Sequence, residues 1–156
     1  MLQGKGTPSI RPARLDDAAE IAELSGQLGY PASGDEMSAR LARLLPDPDY
    51  FIAVAEGADG SLLGWIGAEY RTLLELGEEI EIVGLVVRQG TRRSGVGKVL
   101  LAAAEDWARG RGLDSMRVRS NVARSDSHPF YERMGYALVK TQHCYRKGLA
   151  QPNESA

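Results

Sequence analysis

Residues Glu79 to Trp107 read EIEIVGLVVRQGTRRSGVGKVLLAAAEDW. From Ile80 to Val87 the run is apolar except for Glu81 and Gly84, and Ile82, Val83, Val86 and Val87 are β-branched, which suits a strand buried on both faces. Arg88 to Gly97 then mixes glycine with positive charge. Beyond it Val96, Leu100, Ala103, Ala104 and Trp107 recur at the spacing of one helix face. The order is therefore buried strand, cationic glycine loop, helix start.

Such a junction suits an anion. The first helical turn has amides without partners, and the macrodipole adds roughly half a positive charge there. Gly95 and Gly97 let a ligand approach the backbone. Arg92 and Arg93 offer bidentate phosphate donors, and Ser94, Val96 and Lys98 complete the loop. The plain alternative is a strand-to-helix connection whose glycines only turn the chain. A nucleoside-triphosphate loop is excluded, because Gly90 and Gly95 are followed by Val96 rather than Lys. The dinucleotide fingerprint fails as well, because Leu100 stands where its third glycine belongs.

What Arg92-Arg93-Ser94-Gly95-Val96-Gly97 does match, after a strand ending Leu85-Val86-Val87, is the acyl-CoA arm Gln/Arg-x-x-Gly-x-Gly/Ala. The chain resembles the GNAT acetyltransferases from about Ile10 to Arg146, and its end supports this: Phe130-Tyr131-Glu132-Arg133-Met134-Gly135-Tyr136 is similar to the family's F-Y-E-x-x-G-F. The resemblance implies acetyl-CoA as acyl donor, direct transfer to the amine of a small molecule, no metal, and a mixed, mostly antiparallel central sheet flanked by helices; a protein or peptide N-acetyltransferase and a non-catalytic CoA-binding regulatory module are the alternatives. A homodimer is left open, since many such domains pair and nothing in this chain fixes an interface.

Composition sets the outer bounds. With 156 residues the chain is read as one domain over 8–147, with 1–7 and 148–156 as flexible termini. A net charge of −2, without long like-charged blocks, argues against nucleic acid as a partner. No apolar run reaches the ~18–20 residues of a membrane span, and the first nine residues form no signal region. Cys144 is the single cysteine, so no internal disulfide forms, and the two histidines give no metal spacing. The expected setting is cytoplasmic.

In chain order, a short strand at Ile10–Arg14 leads to a helix capped by Asp16 or Asp17, with Ala18, Ile21, Leu24 and Leu28 on one side. Gly29–Ala32 breaks it. Ser33 and Glu36 form a capping-box pattern for a second helix bearing Met37, Leu41, Leu44 and Leu45. A hairpin follows, Tyr50–Glu56 and Leu62–Thr72, turning at 58–61. After the long helix, Gly95–Arg111, come a strand at Ser115–Ser120, a short helix from Ser125 or Asp126 to Met134, and a closing strand Tyr136–Tyr145. The order β-α-α-β-β-β-α-β-α-β is that of the GNAT fold; the pattern by itself supports an α/β layered domain.

Acetyl transfer from a thioester to an amine requires a base for the ammonium, donors for the oxyanion and a proton for the thiolate. Glu81 is a carboxylate inside an apolar strand, where burial without purpose is costly and desolvation makes a carboxylate a better base. It also stands where the resemblance puts the base glutamate. Glu79, two residues earlier on the same strand face, is its substitute. The alternative is a salt-bridged carboxylate paired with Arg71 or Arg117. Tyr131 matches the tyrosine that the family uses as acid toward the CoA sulfur; otherwise it is a packing tyrosine. His128, ahead of Pro129 at a helix start, reads more readily as structural.

The resemblance gives Asn121 to pantetheine, although it stands ten residues before Tyr131 rather than six or seven, so Arg124 or Ser127 are its replacements. Main chain of Leu85, Val86 and Val87 is expected to take pantetheine like an added strand, with an N–H of Leu85 or Val86 as oxyanion donor. On the acceptor side Tyr30, Trp65 and Glu69, with Asp35, Glu36 and Tyr70 beside them, would suit a cationic amine. They serve equally well as core aromatics and a solvated acidic face.

Overall fold

The computed structural model describes residues 8–91, 94–120 and 127–150. It divides into two compact units, Met1–Arg119 and Ser120–Ala156. The first contains strand β1 (Ser9–Pro12), a 3-10 turn (Leu15–Asp17), helices α1 (Ala18–Gln27) and α2 (Gly34–Leu44), and strands β2 (Tyr50–Glu56), β3 (Leu62–Leu73) and β4 (Gly77–Val87). Helix α3 (Val96–Gly110) and strand β5 (Arg117–Val118) complete it, and the second unit holds α4 (Ser127–Arg133). The sheet order is β1-β2-β3-β4-β5. Its first four strands are antiparallel, and β5 joins β4 in parallel through the α3 crossover. This is the expected mixed, mostly antiparallel sheet flanked by helices.

Each face of the sheet is covered by different helices. Ala18, Ile21 and Leu24 of α1 and Leu41 of α2 close over Val54, Leu62 and Val86, with Trp65, Ile52, Leu28 and Met37 at the margin. On the other face Val96, Leu100, Leu101, Ala104 and Ala108 of α3 are buried. The close approach of α3 needs Gly64: a Cβ there would lie 3.1 Å from Leu100 Cδ1 and only 2.5 Å from the Val86 carbonyl oxygen. Trp107 of α3 stacks on Phe51 of β2 at 5.4 Å between ring centroids.

The capping box is formed as expected: Ser33 Oγ accepts from the Glu36 amide at 3.0 Å, and the Glu36 carboxylate accepts from the Ser33 amide at 3.2 Å. Asp17 does something other than cap with its side chain. Its buried carboxylate accepts two hydrogen bonds from Arg11, both 2.8 Å, and one from the Arg14 amide at 2.7 Å. Arg11 also donates to Glu56 at 2.8 Å, so β1, β2 and the start of α1 are tied through one guanidinium. Burial pushes the Asp17 carboxyl up, but the Arg11 and Arg14 hydrogen bonds outweigh it and hold the group below its ordinary value. Because the folded value is depressed, the stabilisation is present above about pH 4 and lost as pH falls through that folded value. Asp17→Asn is therefore expected to destabilise the fold by about 2 kcal/mol at pH 7. In paired thermal melts its gap from the unaltered protein should narrow below about pH 4.

Three expectations need correction. The strand expected over Ser115–Ser120 is only Arg117–Val118. Leu45 is exposed rather than part of the α2 core face. The closing strand expected over Tyr136–Tyr145 is absent among the described residues: 137–150 have no regular secondary structure, and Leu138, Val139 and Tyr145 are exposed. An apolar run supplies strand-forming side chains, but a strand also needs a hydrogen-bonded neighbour, and sequence carries no record of that.

Candidate functional site

The site is arranged along β4, where the register breaks. Gly84 pairs with Gly67 and Ile82 with Ala68, so Val83 is an extra residue bulged out of the ladder and exposed. On the side away from β3, β4 meets β5 only at Glu81 and Ile82. From Val83 to Val87, β4 has no strand on that side among the described residues. Leu85, Val86 and Val87 are thus paired to β3 on one side and open on the other, the arrangement an added extended ligand needs.

This open edge runs into the glycine loop. Gly95 is the N-cap of α3 at φ 86°, a left-handed conformation, and no described residue lies within 4 Å of the place a Cβ would take. Among the described residues no side chain caps the helix, which leaves the amides of Val96, Gly97 and Lys98 in its first turn for an outside acceptor. Ser94 is fastened back instead, donating its hydroxyl hydrogen to the Thr91 carbonyl. Arg88 is spent on structure, donating to the Leu62 carbonyl at 2.8 Å and to Glu23 at 3.0 Å. An open strand edge leading to an uncapped helix start with a Cβ-free approach fits a pantetheine diphosphate. Arg92, Arg93 and Asn121, expected to join it, lie outside the described residues, as do Arg124 and the side chain of Ser127.

The face of the sheet beneath α1 and α2 holds the acceptor-side candidates. Trp65 lies over Gly84 so closely that a Cβ there would be 2.5 Å from its Cη2. Its indole Nε1 is buried and has no hydrogen-bond partner among the described residues. Farther along the same face, Tyr50, Glu69, Glu81 and Arg117 stand in one cross-strand row. Burial pushes the Tyr50 phenol up, with Glu69 adding to it, which keeps the hydroxyl protonated.

Glu81 is 5% exposed. Its Oε2 accepts from Arg71 at 2.9 Å, and Arg71 Nε donates to Glu79 at 2.8 Å. Arg119 Nε stands 2.9 Å from Glu81 Oε1 but is not aligned to donate, so that buried oxygen has a charge neighbour and no hydrogen bond among the described residues. Arg117 reaches Glu79 only at 3.9 Å. The Arg71 pairing was an expected alternative; the Arg119 contact was not foreseen. Its signal was Arg117-x-Arg119 beside Glu79-x-Glu81, two alternating pairs on neighbouring strands.

Other candidates fall elsewhere. Tyr30 is 64% exposed in the break between α1 and α2. Glu36 is used in the capping box, and Asp35 is exposed beside it. Tyr70 is on the α3 face, with the Arg111 guanidinium 4.2 Å above its ring, and so does not line the acceptor face. Tyr131 belongs to the second unit. There its ring meets Phe130 and Tyr136 edge-on at 5.2 and 5.9 Å, and Gly135, at φ 91°, ends the helix. His128 lies at the start of the same helix. No group of three or more metal-ligating side chains occurs among the described residues.

The sequence profile of the acetyltransferase (GNAT) family matches residues 16–136. The chain is 28% identical to an aminoglycoside N(6')-acetyltransferase type 1 of Klebsiella aerogenes, over 92% of this chain and 98% of that protein. It is 35% identical to an aminoalkylphosphonate N-acetyltransferase of Salmonella typhimurium, over 81% and 83%. Among solved structures, an aminoglycoside antibiotic 6'-N-acetyltransferase, AAC(6')-Ih from Acinetobacter baumannii, superposes with a TM-score of 0.80 at 17% identity. That match covers 91% of this chain and 99% of that one, and shows likeness of fold.

Proposed function

The chain belongs to the acetyltransferase (GNAT) family, and from that premise we propose that this enzyme moves acetyl from acetyl-CoA directly to the amine of a small molecule. The observation that carries this reading is the open edge of β4 from Val83 to Val87, ending at the glycine-capped start of α3. Pantetheine adds to that edge as a strand would, and the diphosphate meets the amides of Val96, Gly97 and Lys98, with Arg92 and Arg93 adjacent in sequence. Asn121 takes a pantetheine amide. An N–H of Leu85 or Val86 faces the oxyanion as it forms. No covalent enzyme intermediate is needed, and Cys144, exposed near the chain end, is not a nucleophile in this scheme.

Glu81 receives the ammonium proton, directly or through a water. The hydrogen-bond vacancy at its buried Oε1 supports this, and Glu79 is the next carboxylate in line. Tyr131, from the Phe130–Tyr136 motif, returns a proton to the thiolate. Trp65 and Glu69 border the acceptor, the small amine class for which the two named relatives are called acetyltransferases, and Tyr30 stays outside that border. The proposed acetyltransferase domain is a single one over 8–147, a reading supported by the family profile's match to residues 16–136. No helix among the described residues is long and apolar enough to cross a membrane, and a single exposed cysteine suits a cytoplasmic setting.

Thiol release from acetyl-CoA, followed across a panel of small amines, tests the proposal. Tyr131→Phe is expected to lower kcat about tenfold or more with acetyl-CoA affinity retained. Tight binding of acetyl-CoA without acetylation of any amine would mark a regulatory CoA-binding module instead.

A further inference from the structure

The charges in the acceptor row cancel. Glu69, Glu79 and Glu81 face Arg71, Arg117 and Arg119, which is a poor design for a polycation: such a ligand would find a guanidinium beside each carboxylate. The arginines are also unequally used. Arg71 is spent, donating to both Glu79 and Glu81. Among the described residues Arg117 has only the 3.9 Å approach of its Nε to Glu79, and Arg119 only the unaligned approach of its Nε to Glu81. Their terminal nitrogens make no hydrogen bond among the described residues. Arg117 and Arg119 are two residues apart beside one strand edge, so both side chains project to the face of Glu81. Next to them Glu81 Oε1 is buried and lacks a hydrogen bond among the described residues, while the Tyr50 hydroxyl and Glu69 continue the row.

Resting on the acetyltransferase reading above, we propose that the acceptor is a zwitterion, a short alkylamine bearing a phosphonate or phosphate group. Its anionic group is held by the free ends of Arg117 and Arg119, and its amine is delivered to Glu81 and Glu69. Two guanidiniums present paired donors to a tetrahedral oxyanion, which an uncharged or cationic acceptor leaves unmet. As the anion draws Arg119 toward itself, Glu81 Oε1 is freed for the ammonium. The anion thus recruits the acceptor and also uncovers the base. Arg117 and Arg119 act as specificity and positioning residues.

The test measures kcat/KM for an aminoalkylphosphonate, an amino alcohol of the same chain length and an aminoglycoside, using the full-length enzyme and its Arg117→Gln and Arg119→Gln variants. The phosphonate should exceed the amino alcohol at least tenfold. In each variant the ratio between these two acceptors should fall at least tenfold, mainly through the phosphonate KM, with melting temperature and acetyl-CoA affinity confirming the fold. Equal or better use of the amino alcohol or the aminoglycoside overturns the zwitterion, as does a variant that lowers both small acceptors alike; in either case the acetyltransferase reading stands. Acetylation of none of the three, with acetyl-CoA bound, overturns both.

Discussion

Changing Glu81 to glutamine is expected to lower kcat by about a hundredfold or more, with the affinity for acetyl-CoA little changed. Glutamine matches glutamate in size and leaves an oxygen for Arg71, which holds Oε2 at 2.9 Å. What it cannot do is take a proton from the incoming ammonium. The charged row supplies the control. Glu79 shares Arg71 and lies on the same strand face, yet it meets Arg117 only at 3.9 Å, and its side chain is more exposed. Glu79→Gln should therefore leave most of the turnover. Reversal of the two results would move the base to Glu79. If Glu81→Gln instead lost acetyl-CoA binding and thermal stability together with kcat, the carboxylate would be a structural counter-ion for Arg71 and Arg119.

Gly84→Ala should have the second large effect, and it comes from space alone. The position has no positive φ that would forbid a side chain. A methyl group there would stand 2.5 Å from Cη2 and 2.7 Å from Cζ3 of Trp65, inside any real carbon contact. Trp65 is packed against the cluster that joins α1, α2 and the sheet, so the ring cannot slide without disturbing that core. The expected cost is about 3 kcal/mol. It would appear as a melting temperature lower by roughly 6–12 °C. The displaced strand carries the proposed pantetheine edge, so kcat/KM should drop by more than the lost stability explains. Adding Trp65→Leu to Gly84→Ala should recover most of the stability through relief of the overlap, a coupling that a double-mutant cycle reads directly. Strict additivity would mean the ring and the glycine are independent.

The elements around these residues were legible where a local rule decides the structure. Ser33 and Glu36 announced a helix start because the two hydrogen bonds of a capping box close within three residues. Tyr50–Glu56 and a returning strand from Leu62 to Thr72, which ends at Leu73, were readable as a hairpin around the turn at 58–61, and α3 from its apolar spacing. Long-range geometry was harder to read. Tyr70 and Glu69 are neighbours in sequence, and only the strand's pleat sends one to Arg111 and the other to the acceptor row. Asp17 had the look of a cap, and its true partner, Arg11, came from a different element. The family motif singled out Glu81 and Tyr131, while Arg119 emerged only once β5 was laid beside β4.

The bulged Val83 has a consequence that reaches beyond the local kink. Gly84 and Glu81 are three positions apart, an odd step that in an uninterrupted strand would leave them on opposite sides of the sheet. One supernumerary residue shifts the phase, so the glycine under Trp65 and the carboxylate held by Arg71 look out the same way, while Ile80 and Ile82 turn into the interior. Removing that residue would restore an ideal ladder and carry Glu79 and Glu81 beneath the long helix, taking from Arg71 and Arg119 the carboxylates they now meet. Chain length, counted to a single peptide unit, decides here whether a strand can host chemistry or only fill a sheet.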